Sequence, residues 1–244
     1  MWANPPLVGT TFAVLDGPGR GQSRMVVGVG SANGTITLDR PLDGWVATAA
    51  AKRPSTVAVI SSFGSKVFAG NSFLWTEVVQ WYGNTLRGVM ADNSFTNCNV
   101  KPGGNDDGGA MGGVGECYHG SDPMWYTEYR GNEMQASDGV GIRDAYNTAE
   151  YQCAAYGGPW VAWAVIRANT FGGISLAAKN VSGMAGGGQK PRCADVHIHG
   201  AGSNATGTTS DVVGEQNAFG CPAEGNASTA GYAFRECSHC VQRL

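Results

Sequence analysis

The chain of 244 residues is poor in charged side chains and has no long apolar run. Charged residues make up 14% of it, against roughly 25% in typical soluble domains. It lacks the long runs of Ala, Leu, Glu and Lys that a helical bundle needs. A net charge of −3 leaves no basic surface for nucleic acid, and no apolar run approaches the roughly 18 residues of a membrane-spanning helix. We therefore expect no helical bundle, no nucleic-acid partner and no membrane span.

Glycine and asparagine are abundant instead. The chain contains 38 glycines and 15 asparagines, residue types that favour turns. Apolar residues make up 42%, which is ample for a buried core. This composition is typical of many short strands joined by turns, and it predicts an all-β protein.

The cysteines and the glycosylation sequons suggest an oxidising compartment. Seven cysteines fall mostly in glycine-rich segments, and sequons begin at Asn33, Asn180, Asn204 and Asn226. We expect an extracellular glycoprotein with disulfides, in which the odd number of cysteines leaves one thiol free or paired elsewhere; a cytosolic protein with reduced thiols is the alternative. The start of the chain shows no signal-peptide pattern, so we expect a mature form or a fragment of a longer chain.

Residues 1–50 predict a small β-meander lobe. Thr11–Leu15 and Ser23–Val29 are typical of strands, and the turn between them contains the Gly and Pro that such turns require. Asn33-Gly34 followed by the alternating Thr35–Leu38 indicates a hairpin.

Residues 51–244 carry a repeated unit. Val67–Phe73 and Val89–Phe95 both end in Asn-Ser-Phe, and their Asn residues are 22 positions apart. Asn132, Asn169 and Asn217 are likewise followed, two positions later, by a large apolar residue. We expect stacked coils in which Phe lies on Phe about 4.8 Å apart and the Asn side chains form a hydrogen-bonded ladder, since Asn both donates and accepts and tolerates left-handed backbone angles. Three segments are expected to be loops inserted between coils: 101–115, 146–160 and 183–192.

Two other folds have part of this pattern. A leucine-rich repeat also has a strand followed by Asn, but it needs several leucines per repeat, and this chain has 8 in all. A β-sandwich explains the strands and the glycine content, but it does not explain the spacing from Asn to Phe.

The repeated Val-x-x-x-Asn-x-Phe unit resembles the coils of right-handed parallel β-helix proteins, the superfamily of pectate lyases and polygalacturonases. Residues 15–27 with 35–41, and 79–83 with 118–126, are similar to further secreted β-helix proteins. The resemblance covers about residues 10–240. It implies a right-handed parallel β-helix (a solenoid) with an N-terminal β-meander lobe, and a glycan groove along one sheet. The acidic and histidine motifs of polygalacturonases and the Arg-x-Pro-x-x-Arg motif of pectate lyases are missing.

The densest group of reactive side chains lies between residues 116 and 144. Acids, arginines and aromatics interleave here, as in sugar-binding sites, where aromatic rings stack on sugar faces and carboxylates bind hydroxyl groups. The alternative is that Trp125 and Tyr129 belong to the core and that the charges are solvated at coil corners. We predict as catalytic candidates His119, Asp122, Glu128, Arg130 and Arg143, and as substrate-binding candidates Glu116, Trp125, Tyr126 and Asp144.

Two functions follow as hypotheses. The first is a secreted β-helix protein that binds a polysaccharide or cell-surface glycan and cleaves it as a lyase or hydrolase. The second is a non-catalytic structural or adhesive solenoid of a cell-surface protein. No metal site is predicted and the cofactor is unknown, with Ca²⁺ as the candidate because it serves lyases. We expect a monomer or part of a larger chain.

Overall fold

The computed structural model describes residues 7–30, 35–44, 56–60, 64–76, 79–82, 84–98, 111–116, 123–135, 137, 139–145, 161–172, 196–199, 209–219, 232–235, 237–238 and 241–243. Within these ranges the protein is all-β, with 25 strands and no helix. The described residues accordingly contain no helix long and apolar enough to cross a membrane.

Four strands form an antiparallel sheet that we call the lobe sheet. In the spatial order β3-β2-β1-β4, they are β1 (Thr11–Asp16), β2 (Ser23–Val29), β3 (Ile36–Leu38) and β4 (Thr56–Ile60). The first three strands confirm the predicted meander. β4 lies beyond the predicted lobe boundary at residue 50 and pairs with β1, so that Thr11 lies opposite Ile60.

The other strands form four parallel sheets, which we number I to IV. Sheet I contains β8 (Thr85–Leu86), β12 (Met124–Trp125), β16 (Val161–Ala162), β20 (Thr209–Ser210) and β24 (Cys237–Ser238). Sheet II contains β5 (Val67–Ala69), β9 (Val89–Ala91), β13 (Glu128–Arg130), β17 (Val165–Arg167), β21 (Val213–Glu215) and β25 (Val241–Arg243). Sheet III contains β6 (Ser72–Leu74), β10 (Ser94–Thr96), β14 (Glu133–Gln135), β18 (Thr170–Phe171) and β22 (Ala218–Phe219). Sheet IV contains β7 (Val79–Tyr82), β11 (Met111–Glu116), β15 (Val140–Ala145), β19 (Val196–His199) and β23 (Tyr232–Arg235).

The strand number advances by four within each parallel sheet. The chain therefore visits sheets I, II, III and IV in turn and then returns to sheet I beside its previous strand; we call one such passage a circuit. Parallel pairing in four of the five sheets does not fit the β-sandwich alternative.

Equivalent apolar residues of successive circuits stack in the core. Alternate residues of a strand point to opposite faces, and in β9, β10, β13, β14 and β17 the middle residue is buried and points inward. Phe73 stacks on Phe95 and Phe171 on Phe219, each with ring centroids 4.9 Å apart, as predicted from the Asn-x-Phe spacing. Phe95 is fully buried.

The predicted asparagine ladder is confirmed at the corner between sheets II and III. Each Nδ2 donates to Oδ1 of the Asn in the next circuit, over 3.1, 2.9, 2.9 and 2.9 Å along the series Asn71, Asn93, Asn132, Asn169 and Asn217. The backbone N–H of the same Asn donates to that same Oδ1. Left-handed backbone angles occur one residue before each Asn, at Gly70, Asp92, Gly131, Ala168 and Gln216. The expectation that Asn itself takes a left-handed angle was wrong. The preceding residue takes it, and the backbone N–H of the Asn donates to Oδ1 of the Asn in the next circuit.

The expected loop over residues 101–115 was wrong for its last five residues, which lie on β11. This strand pairs with β7 on one side and β15 on the other. Its glycines make the segment look like a loop in the sequence, but they allow the pairing, because a Cβ on Gly112 would overlap the carbonyl oxygen of Gly141. The expected loops 146–160 and 183–192 lie outside the described residues.

The lobe packs on the outer face of sheet I. Ala13 and Leu15 of β1 form a buried cluster with Trp125 and Ala162, against which Leu86 and Trp163 pack. Met124, the neighbour of Trp125 on β12, belongs instead to the main core. Sheet I is thus covered on both faces, whereas part of the outer face of sheet II is exposed.

Candidate functional site

The outer face of sheet II carries four charged side chains from neighbouring circuits. The inward positions of β13 and β17 are Tyr129 and Ile166, both fully buried. The residues on either side of them therefore point outward, which places Glu128, Arg130 and Arg167 on the surface. We call these three residues, together with Asp92 at the next corner, the charge network.

Glu128 lies at the centre of the charge network. Its Oε1 accepts a hydrogen bond from Arg167 Nε at 2.7 Å and lies 2.6 Å from Arg167 Nη2. Its Oε2 lies 3.6 Å from Arg130 Nε, and Arg130 Nη1 lies 3.7 Å from Asp92 Oδ2 on the other side. Two guanidinium groups and two carboxylates cancel in charge, so the network presents alternating donors and acceptors.

All four side chains remain partly open to solvent. The side-chain exposure is 28% for Glu128, 42% for Arg130, 46% for Arg167 and 64% for Asp92. Exposed pairs of this kind stabilise a fold by about 0.2–1 kcal/mol each. The network is therefore accessible to a ligand and contributes modestly to stability.

An aromatic corner borders this network, between sheets I and II. Tyr126 and Trp163 occupy equivalent positions, both with left-handed backbone angles, and their rings stack with centroids 4.9 Å apart. Arg20 of the lobe lies over the Trp163 ring, 5.1 Å from its centroid, and pairs with Asp211 of the following circuit at 2.5 Å. These contacts join the lobe to three successive circuits.

Tyr126 is held by the lobe and is still 41% exposed. Its hydroxyl donates to the Gly21 carbonyl at 3.1 Å. Burial raises the pKa of Tyr126 above its ordinary value, while the positive charges of Arg20 and Arg87 oppose the shift. Tyr126 comes two residues before Glu128, at the corner that leads into sheet II.

The structure divides the predicted site residues among different places. Glu128 and Arg130 lie together on sheet II, and Tyr126 lies at the corner before that strand. Trp125 is fully buried between sheet I and the lobe, so it has no surface for a ligand. Tyr129 is also fully buried, and the alternative that these two residues belong to the core is confirmed. The strand backbones of sheet IV carry three further candidates, Glu116 on β11 and Arg143 and Asp144 on β15. His119 and Asp122 lie outside the described residues.

Sequence reasoning missed Arg167, Asp92 and the contacts of the lobe. Arg167 could have been found, because Arg130 and Arg167 each come two residues before a ladder Asn and must stack. Asp92 precedes Asn93 directly. Arg20 and Trp163 gave no such signal, since their meeting depends on how the lobe lies on sheet I.

Neither a metal centre nor a disulfide is present among the described residues. These ranges hold no group of three or more His, Cys, Asp or Glu side chains that could bind a metal ion. Cys98 is a free, fully buried thiol that receives a hydrogen bond from Thr76 Oγ1 at 3.1 Å. The four sequon asparagines lie outside the described residues.

Comparison with known proteins identifies no relative: no family model, no curated protein and no solved structure matches the chain.

Proposed function

We propose that this protein is a parallel β-helix that binds a polysaccharide on the outer face of sheet II, at the charge network and the adjacent Tyr126. The observation that carries the proposal is the partly exposed alternation of Asp92, Arg130, Glu128 and Arg167, with the exposed Tyr126 two residues before Glu128 in the chain. The β-helix assignment is supported by the circuit order of the strands and by the resemblance of the Asn-x-Phe unit.

The chemistry of the charge network suits hydroxyl-rich ligands. Carboxylates accept hydrogen bonds from sugar hydroxyls and guanidinium groups donate to sugar oxygens, and charge-assisted bonds are stronger than neutral ones. The exposed part of Tyr126 offers an apolar surface for a sugar ring. Adjacent circuits repeat at about 4.8 Å, so a glycan extending across three circuits meets Asp92, then Glu128 and Arg130, and then Arg167.

Binding is better supported than cleavage. Hydrolysis of a glycosidic bond requires two carboxyl groups that face each other across the bond. In the charge network Arg130 lies between the carboxylates of Asp92 and Glu128, which are the two present. The proposal therefore commits to glycan binding in an extracellular setting; cleavage would need residues beyond this network, such as the candidates His119 and Asp122.

A direct test compares glycan binding by substituted proteins. Isothermal titration against panels of acidic and neutral polysaccharides would identify a ligand. Arg130→Ala and Arg167→Ala should each weaken its binding by about 10- to 150-fold, since a charge-assisted hydrogen bond contributes about 1.5–3 kcal/mol. Arg40→Ala, at an exposed lobe position, is the matched control and should bind normally. Assays for new reducing ends and unsaturated products would detect cleavage. Absence of binding to every glycan would refute the proposal.

The structural or adhesive solenoid stays the second candidate. Its supporting observation is that Glu128 binds arginines from both its own and the neighbouring strand, as cross-strand pairs that stabilise a sheet do. Under this hypothesis Arg167→Ala lowers stability slightly, and no glycan binds wild type.

A further inference from the structure

β5 and β6 are edge strands, each terminal in its sheet. We call the surface formed by these two strands the open end. Strand β5 directs Lys66 O and Gly70 N toward β9, so the intervening Val67 and Ala69 direct their N–H and C=O groups away from it. The same alternation holds in β6, where Ser72 and Leu74 face away from β10. Among the described residues, the Ala69 carbonyl accepts a hydrogen bond from Asn71 Nδ2 at 3.2 Å, and the other backbone groups that face away have no hydrogen-bond partner.

A backbone hydrogen bond that recurs along sheet II shows what kind of strand would pair with the free edge of β5. In every later strand the N–H of the first residue donates to a carbonyl of the preceding circuit, at 2.8–2.9 Å: Val89 to Lys66, Glu128 to Gly88, Val165 to Thr127, Val213 to Ala164 and Val241 to Val212. Val67 N–H is the next donor in this series. A matching partner therefore presents carbonyl groups on a parallel strand.

Apolar side chains are exposed at the same place. Val67 is 67% exposed, Leu74 61% and Trp75 52%. Phe68, at the inward position of β5, is 39% exposed, whereas its partner Met90 on β9 is fully buried. Unpaired strand edges that also carry apolar side chains are typical sites for the addition of another strand.

The asparagine ladder gives the open end a direction. Asn93 Oδ1 accepts from both the backbone N–H and the Nδ2 of Asn71, and the later members repeat this arrangement. Asn71 Oδ1 is thus the acceptor that a preceding amide would bind. Two open ends placed face to face would bring acceptor to acceptor and would reverse the strand direction, whereas addition of a circuit in the same orientation would continue every bond.

We propose that the open end binds a second copy of this chain head to tail, with the sheet II edge of that copy at β25 adding in parallel beside β5. β25 is the opposite edge of the same sheet, and its Val241 is 44% exposed. In this arrangement Val67 lies beside Val241 of the other copy, as Val89 lies beside Val67 within one chain. Contacts of this heterologous kind do not close on themselves, so the association grows beyond a dimer. The glycan proposal is independent of this one.

Sedimentation velocity over about 1 µM to 1 mM, a range that covers weak to moderate affinities, tests the proposal. Mass should rise with concentration without saturating at two copies. Val67→Lys and Leu74→Lys should lower the association constant at least tenfold, because edge lysines oppose strand addition. Leu7→Lys and Val8→Lys are matched controls in the lobe, each at 65% exposure, and should associate as wild type does.

A backbone variant separates strand pairing from surface charge. Ala69→Pro removes an N–H that faces away from β9, so it costs no internal bond, and proline is tolerated on edge strands. It should abolish association while circular dichroism stays that of wild type. Three results would overturn the proposal: a monomer throughout the range, a mass that stops at a dimer, or equal weakening by the lobe controls.

Discussion

Replacement of Asn132 by alanine should destabilise the protein far more than replacement of the terminal ladder residue Asn71. Asn132 is 1% exposed, and its side chain makes four hydrogen bonds. Oδ1 accepts from Asn93 N and Nδ2 at 3.0 and 2.9 Å, and Nδ2 donates to Met90 O and Asn169 Oδ1 at 3.0 and 2.9 Å. Asn132→Ala removes all four bonds at once.

The expected loss follows from what stays behind. The backbone N–H of Asn93 loses its acceptor in a site that is 2% exposed, and each buried group left without a partner costs about 1–3 kcal/mol. With one orphaned N–H and a half-satisfied amide, the free energy of unfolding should fall by about 4 kcal/mol. Asn71 is exposed, and its Nδ2 bonds of 3.1 and 3.2 Å compete with water, so Asn71→Ala should cost about 1 kcal/mol.

Urea unfolding followed by circular dichroism measures both losses, since the shift of the midpoint at constant slope reports stability. Asn132→Asp is the isosteric control. Its carboxylate keeps the bonds from Asn93 but places an acceptor against Met90 O and Asn169 Oδ1, and a buried unpaired charge is costly. It should therefore destabilise at least as much as alanine. Equal costs for Asn132→Ala and Asn71→Ala, or a mild Asn132→Asp, would refute the argument that these hydrogen bonds hold the circuits together.

Three further predictions concern the lobe, sheet IV and Tyr126. Arg20→Ala should weaken lobe docking by about 1 kcal/mol, because it removes a cation–π contact and the pair with Asp211, and hydrogen exchange of β1 should speed up; unchanged exchange would contradict this. Gly112→Ala should cost about 3 kcal/mol in urea unfolding, because its Cβ meets backbone, whereas Gly30→Ala, with 3.4 Å to its nearest neighbour, should be nearly neutral. Burial raises the pKa of Tyr126, so the folded state holds the phenol proton to higher pH than the unfolded chain does. The stability that this group contributes is present below the ordinary pKa of 10.0 and is lost as pH rises above it. Tyr126→Phe should remove this contribution to the loss of stability at alkaline pH.

The stacking of the chain was predictable because it is encoded locally. In each repeat an Asn is followed two residues later by a large apolar residue, as at Asn93 and Phe95. The Asn positions form the ladder, and the apolar positions point into the core. Strand β11 was missed because its glycines resemble a loop until the close approach of Gly141 is known. Trp125 shows why the candidate site was only partly predictable: it stands between the buried Met124 and the exposed Tyr126, and its own burial depends on a lobe more than a hundred residues earlier.

The docking of the lobe has a consequence for the order in which this chain acquires its structure. The bond from Tyr126 to Gly21 spans 105 residues and the pair from Arg20 to Asp211 spans 191, whereas neighbouring rungs of the asparagine ladder are 22 to 48 residues apart. At a synthesis rate of roughly 5–20 residues per second, these partners leave the ribosome about 5–40 s after the lobe. Leu15, which is 1% exposed in the finished protein, has no covering surface in that interval. The lobe is therefore synthesised before the circuits on which it docks, and the buried side chains of β1 stay uncovered until those circuits follow.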